Sequence, residues 1–291
     1  MFDTLFGTSA LICTDATPLA ATCNCGRRQR QGPRSIDCAG RGLDNLPVGL
    51  TLPGGFSAVT FGENKLTEVK RGQFRWNPAV TTLNLSHNLV STVDPWALAG
   101  LPVLRTLLLD HNQLTELKLK ALQGVYDLAQ LDLSFNRLRV LDSLLFVNTD
   151  IRELRLRHNP LVTLAPRLFL FVPRLRLLDL GGADLTALPA DLFASSRLLE
   201  TLLLPDNQLT AVPSETLAAA PGLSTLDLSG NRLESVSVDL AGNNLTGVSR
   251  DLLPWGRMEF VGVEQNPWIC DCDMAWAADG AFPLEDESLV V

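Results

Sequence analysis

The chain has three histidines, and all three occupy one kind of place: His87, His111 and His158 each stand immediately before an asparagine, in the tripeptides His87-Asn88-Leu89, His111-Asn112-Gln113 and His158-Asn159-Pro160. Imidazoles stacked on neighbouring strands about 4.8 Å apart could bridge a metal. Only His87 and His111 are close enough in the chain to do so, and the column reads as a recurrent surface position with no resident metal. Six cysteines fall in two groups, Cys13, Cys23, Cys25 and Cys38 near the start and Cys270 and Cys272 near the end. The C-x-C pairs lack the C-x2-4-C spacing and the nearby histidines of zinc frameworks, so they point to disulfide chemistry and an oxidising compartment. No HExxH, GxSxG elbow, glycine-rich phosphate loop or Walker sequence is present, which leaves no nucleophile, base or metal pattern for catalysis. Arginine supplies the other concentrated chemistry. Arg152, Arg155, Arg157 and Arg176 gather near Asp132 and Asp179, and a second cluster, Arg27, Arg28, Arg30 and Arg34, lies among the early cysteines. A guanidinium holds a carboxylate through two parallel hydrogen bonds, so the first group suits an acidic protein partner. The second could touch a sulfated glycosaminoglycan.

These residues are positioned by a repeat. The pattern LxxLxLxxN recurs with anchor asparagines at Asn64, Asn88, Asn112, Asn136, Asn159, Asn207, Asn231, Asn243 and Asn266, and Ala183 takes the slot between Asn159 and Asn207. Successive steps are 24, 24, 24, 23, 24, 24, 24, 12 and 23 residues. Pairs such as Leu83/Leu85, Leu107/Leu109, Leu131/Leu133, Leu154/Leu156 and Leu202/Leu204 carry the period-2 mark of short strands with one buried face. One coil cannot enclose its own leucines, so each must stack on its neighbours in a solenoid. The asparagine side chains should line up as a ladder that satisfies backbone groups where the chain leaves each strand. Phe74, Leu98, Leu122, Leu145 or Phe146, Phe169 and Phe193 should fill the far side of the core, with Pro47, Pro189 and Pro213 opening several return segments. Ala183 removes one rung and should leave a backbone donor to water. The 12-residue step either makes an abnormally tight coil between Arg232 and Asn243 or marks the loss of half a repeat.

Composition agrees with a folded binding domain. Leucine accounts for 58 of 291 residues against a charged fraction of 19%, a globular balance. Polar residues interrupt every leucine run before a membrane span is reached. The net charge of −8 opposes a general role in nucleic-acid binding.

Over about residues 36–276 the chain resembles the extracellular leucine-rich repeat family with 24-residue repeats, the group that includes Toll-type receptors, Slit-type guidance proteins, small matrix proteoglycans and variable lymphocyte receptors. The stretch from Cys23-Asn-Cys25 through Ile36-Asp-Cys38 to Leu43-Asp-Asn-Leu46-Pro47 is similar to its cysteine-rich N-terminal flank. Asn266-Pro-Trp268-Ile-Cys270-Asp-Cys272 with Trp276 resembles the start of its C-terminal flank. The resemblance implies an α/β repeat fold, a curved horseshoe with a parallel sheet on its concave face and a disulfide cap. It divides the chain into a weak signal-like leader at 1–16, an N-terminal cap at 17–54, about ten turns of repeat at 55–265 with one shortened near 232–243, and a truncated C-terminal cap at 266–291. It also implies pairing of Cys13 with Cys25 and of Cys23 with Cys38, leaving Cys270 and Cys272 unpaired, as expected of a fragment or imperfect gene model of a larger secreted or membrane-anchored protein. The outward strand positions, Thr60, Asn84, Leu108, Asp132, Arg155, Asp179, Leu203, Asp227, Asp239 and Gly262, are free of packing duty and carry whatever specificity the surface has. Sequons at Asn84 and Asn244 fit a secretory route. The expected function is non-catalytic recognition of a protein ligand or receptor through Asp132, Arg152, Arg155, Arg157, Arg176 and Asp179, without a cofactor; the alternative is a structural matrix protein.

Overall fold

The computed structural model describes residues 23–25, 34–52, 55–74, 77–233, 237–239, 245, 260–262 and 266 of the chain. The chain divides into two compact units, Met1–Leu154 and Arg155–Val291.

In the first unit a short hairpin-like pair, β1 (Asn24–Cys25) and β2 (Ser35–Asp37), is antiparallel. From β2 onward the pairing is parallel through β3 (Ala58–Thr60), β5 (Thr82–Asn84), β7 (Thr106–Leu108) and β8 (Gln130–Asp132). On the opposite flank β4 (Glu68–Val69) pairs in parallel with β6 (Thr92–Val93). A 3-10 turn at Ser143–Phe146 follows, its first turn capped by the Asp142 carboxylate, which accepts from the Leu144 N–H. Strand β9 (Glu153–Arg155) lies at the boundary of the units. The second unit holds β10 (Leu177–Asp179), β11 (Thr201–Leu203) and β12 (Thr225–Asp227) in parallel register, a one-turn helix α1 (Ser214–Ala218), and β13 (Ser237–Asp239) paired with β14 (Phe260–Gly262). Pro213 opens α1, where its fixed φ and missing N–H cost the helix nothing.

The period sets the register. Leu83 lies opposite Leu107 and Leu107 opposite Leu131, as Leu178 lies opposite Leu202 and Leu202 opposite Leu226. Strands β5, β7, β8, β9, β11 and β12 each bury their central leucine and leave the flanking two at least partly exposed, while β10 buries Asp179 beside Leu178. The same leucine columns, with Leu85, Leu109, Leu133, Leu156, Leu180 and Leu204, are withdrawn from solvent. Return segments close the core with Phe74, Leu98, Leu122, Leu145 and Phe146 in one unit and Phe169 and Phe193 in the other, the last two rings stacked 6.1 Å apart. The result is a leucine-rich solenoid of about eight turns, whose stability rests on burial between neighbouring coils. At the shortened step the ladder changes. Strand β13 begins 12 residues after β12 and, among the described residues, pairs with β14 in a separate two-stranded sheet, since 12 residues leave out half of the return path. Among the described residues no helix is long and apolar enough to cross a membrane.

Candidate functional site

The asparagine ladder is the frame on which every exposed group hangs. Asn112 is typical: its Nδ2 donates to the carbonyls of Leu85, Leu109 and Asp110, and its Oδ1 accepts from the Val90 N–H at 2.9 Å. Asn64, Asn88, Asn136, Asn207 and Asn231 donate in the same way to their own turn and to the preceding coil. Asn159 donates to the Leu156 carbonyl, and Asn266 accepts from the Leu245 N–H. Asn243 and Asn244 lie outside the described residues. The residue just before each rung is left-handed: Glu63, His87, His111, Phe135, His158, Gly182, Asp206 and Gly230 all have φ between 52° and 67°. That conformation turns the chain sharply enough for the next asparagine to point inward.

At Ala183 the missing rung is repaired locally, contrary to the expectation of a donor left to water. The Leu161 N–H, which an asparagine at 183 would have received, bonds to the carbonyl of Asn159 at 2.7 Å. A second tight turn follows, in which the Thr163 N–H bonds to the Leu161 carbonyl at 2.5 Å around Val162, and Val162 there has φ 53°, a costly conformation for a β-branched residue.

On the strand face of the first unit, side chains on adjacent strands join laterally. Thr106 donates its hydroxyl to Gln130, whose amide donates to Glu153. Arg152 pairs with Asp150 two residues away. The outward acidic and amide residues serve the fold: Asn84 accepts from the Ser86 N–H and Asp132 from the Ser134 N–H. In the second unit Asp179 and Asp227 likewise accept from the N–H groups of Gly181 and Ser229. These carboxylates cap the turn that leaves each strand. Asp179 is buried.

The arginines of the second unit have other partners. Arg157 reaches two coils along to Asp206 at 3.0 Å. Its path runs over Gly181, where an added Cβ would lie 2.9 Å from the guanidinium and 3.0 Å from Pro205. His158 similarly covers Gly182. Arg176 pairs with Glu200 on the next coil. Arg155 is half-buried at the end of β9, while the outward side chains of Leu177 and Leu203 are half-exposed on β10 and β11.

Elsewhere, Cys23 and Cys38 are joined by a disulfide, closing the N-terminal cap against buried Ile36. Cys13, Cys270 and Cys272 and the arginines at 27, 28 and 30 lie outside the described residues, as does the side chain of Cys25; Arg34 stacks on Phe56 at 5.6 Å. A shallow depression of about 310 Å³ lined by Leu188, Ala190, Val212, Pro213, Ser214, Glu215 and Thr216 offers one carboxylate and no acid–base pair. His87, His111 and Phe135 form a continuous stack, with centroid separations of 4.1 and 4.2 Å.

With that geometry in place, similarity to known proteins can be judged. The family model described as "Leucine rich repeat" matches at residues 59–114, 102–161, 127–185, 149–209 and 173–233. The chain belongs to the leucine-rich repeat family. Leucine-rich repeat-containing protein 3 of Rattus norvegicus, and the same protein of Mus musculus, are 29% identical over 85 residues, 28% of this chain. The match spans about a third, 32%, of those relatives' own length. Among solved structures, the glycosylated form of the Drosophila Toll–Spatzle complex aligns at 26% identity and TM-score 0.58 over 81% of this chain and 35% of that one. Human 5T4, also called Wnt-activated inhibitory factor 1 or trophoblast glycoprotein, aligns at 24% identity and TM-score 0.58 over 91% of this chain and 88% of that one, a likeness of fold. The leucine-rich repeat scaffold accounts for the leucine columns and the ladder.

Proposed function

We propose that this leucine-rich repeat chain is a non-catalytic, extracellular recognition module that binds a protein ligand through the strand face of its second unit. The observation that carries the reading is the juxtaposition there of the Arg157–Asp206 pair with half-exposed Leu177 and Leu203. An interface centre gains from partly exposed apolar area on the same face as a guanidinium. The Arg157–Asp206 bond holds the guanidinium in place before a partner arrives, which lowers the ordering cost of binding. The Cys23–Cys38 disulfide fits an oxidising compartment, and the Toll–Spatzle complex is an example of a related solenoid in a complex with a protein.

The test uses the intact chain as bait against an array of secreted proteins, cell-surface ectodomains and matrix collagens. Saturable binding to an ectodomain or secreted protein, lost on Leu203→Glu and kept on Arg167→Glu at the return side, supports the proposal. Binding confined to collagens favours a structural matrix role and overturns it, as does binding indifferent to Leu203→Glu.

A further inference from the structure

The histidine column does more than repeat a surface pattern, because a carboxylate that the histidine spacing alone did not bring into view joins it. Asp110 stands one position before His111 and points along the stack: its Oδ2 lies 3.0 Å from His111 Nδ1, and its other oxygen accepts the Ser86 hydroxyl from the preceding coil. His87 comes from that preceding coil. One potential ligand atom from each of His87, Asp110 and His111 falls within 4.8 Å of the others, the one such group among the described residues. Both imidazoles are exposed and Asp110 is half-buried. Their backbone is fixed twice over, by the left-handed conformation at 87 and 111 and by the buried rungs Asn88 and Asn112 that directly follow.

We propose that His87, His111 and Asp110 form a surface site for a borderline divalent cation such as Zn²⁺. Two imidazoles and one carboxylate are the donor set that suits such an ion, and three protein ligands leave a coordination position open to water or to a partner's side chain. Asp110 acts either as the third ligand or as the carboxylate that holds the His111 ring through Nδ1 and leaves Nε2 for the metal. In the ion-free arrangement the rings are stacked within 19° of parallel, so their lone pairs run side by side. Binding requires both rings to turn about their side-chain bonds, and their exposure leaves room for it. Phe135, packed on the other face of His111, opposes that turn, so the site should bind more weakly than a closed structural zinc site.

The experiment uses the full chain carrying ring-labelled histidine, titrated with ZnCl₂ and followed by NMR. Three histidines give three ring signals. His158, which covers Gly182 and is not part of the group, serves as the internal control. The expected result is that the His87 and His111 signals move together to saturation at one equivalent while His158 stays still. His87→Asn, chosen because asparagine tolerates positive φ, should abolish the response of His111, and Asp110→Asn should weaken it about 10–100-fold. A parallel response of all three histidines, no response below several equivalents, or an unchanged His111 response in His87→Asn would overturn the proposal. Zinc held by cysteines leaves all three signals in place and would overturn it as well.

Discussion

Replacing Asn112 by alanine removes one rung from a coil that has no spare partner, and the cost follows from its hydrogen bonds. The carbonyls of Leu85 and Leu109 lose one donor each but keep another, because Asn88 also donates to Leu85 and Asn136 also donates to Leu109. The Val90 N–H keeps none of its bond to Oδ1, and it belongs to a fully buried residue. An orphaned buried donor costs about 1–3 kcal/mol. With the lost amide bonds and the small void, the total should reach about 2–4 kcal/mol. Urea unfolding followed by circular dichroism measures it as a fall in midpoint at constant slope. A loss below about 0.5 kcal/mol would refute the reasoning, for it would show that the coil around Val90 can close a local turn as Leu161 does onto Asn159. Asn112→Asp should be at least as costly, since a carboxylate would face the same carbonyl oxygens with no donor to offer.

Leu131→Ala should cost about 2–5 kcal/mol as a cavity in the continuous leucine column, while Thr82→Ala on the outward side of β5 should stay within about 0.5 kcal/mol; equal losses in urea melts would contradict the burial pattern. Val162→Gly should stabilise by about 1 kcal/mol, because it relieves a left-handed β-branched residue that is 49% exposed and buries little; a loss of stability would show that the turn is not strained. Cys38→Ser opens a loop with a sequence separation of 15 and should cost about 3 kcal/mol, with the midpoint of the intact protein falling to the same value under reductant. A midpoint insensitive to reductant would place the cap outside the cooperative fold.

The ladder and the leucine columns were legible because their signal is a period, and a period of 24 residues with LxL pairs admits one stacking register. The fate of Ala183 was not legible. Whether Leu161 finds another acceptor depends on whether the chain at 159–161 can close a tight turn back onto Asn159, which no residue type announces. The partners of the arginines were hidden for a related reason. Arg157 passes over Gly181 to reach Asp206 two coils away, so its partner is set by a missing Cβ and by the stacking distance, not by nearness in sequence. The acidic residues could have been sorted earlier: Asp132-Leu-Ser134, Asp179-Leu-Gly181 and Asp227-Leu-Ser229 repeat a short turn-capping pattern, which separates structural carboxylates from those free to meet a ligand. Asp110 had its own signal, since it stands two residues before the Asn112 rung and next to His111, one of the two histidines that neighbour each other on adjacent coils.

The account stands most directly on the role of the strand face, and one affinity measurement tests it. With the partner recovered from the array, the dissociation constant is measured by calorimetry at low salt for the intact chain, for Arg155→Ala/Arg157→Ala, and for Arg167→Ala, whose guanidinium pairs with Asp191 away from the strands. The double substitution should weaken binding by more than about 2 kcal/mol, as expected when anchoring residues are truncated, with circular dichroism unchanged and Arg167→Ala binding like the parent. An unchanged dissociation constant for the double variant would contradict the account and move recognition to a cap or to the return side of the repeats.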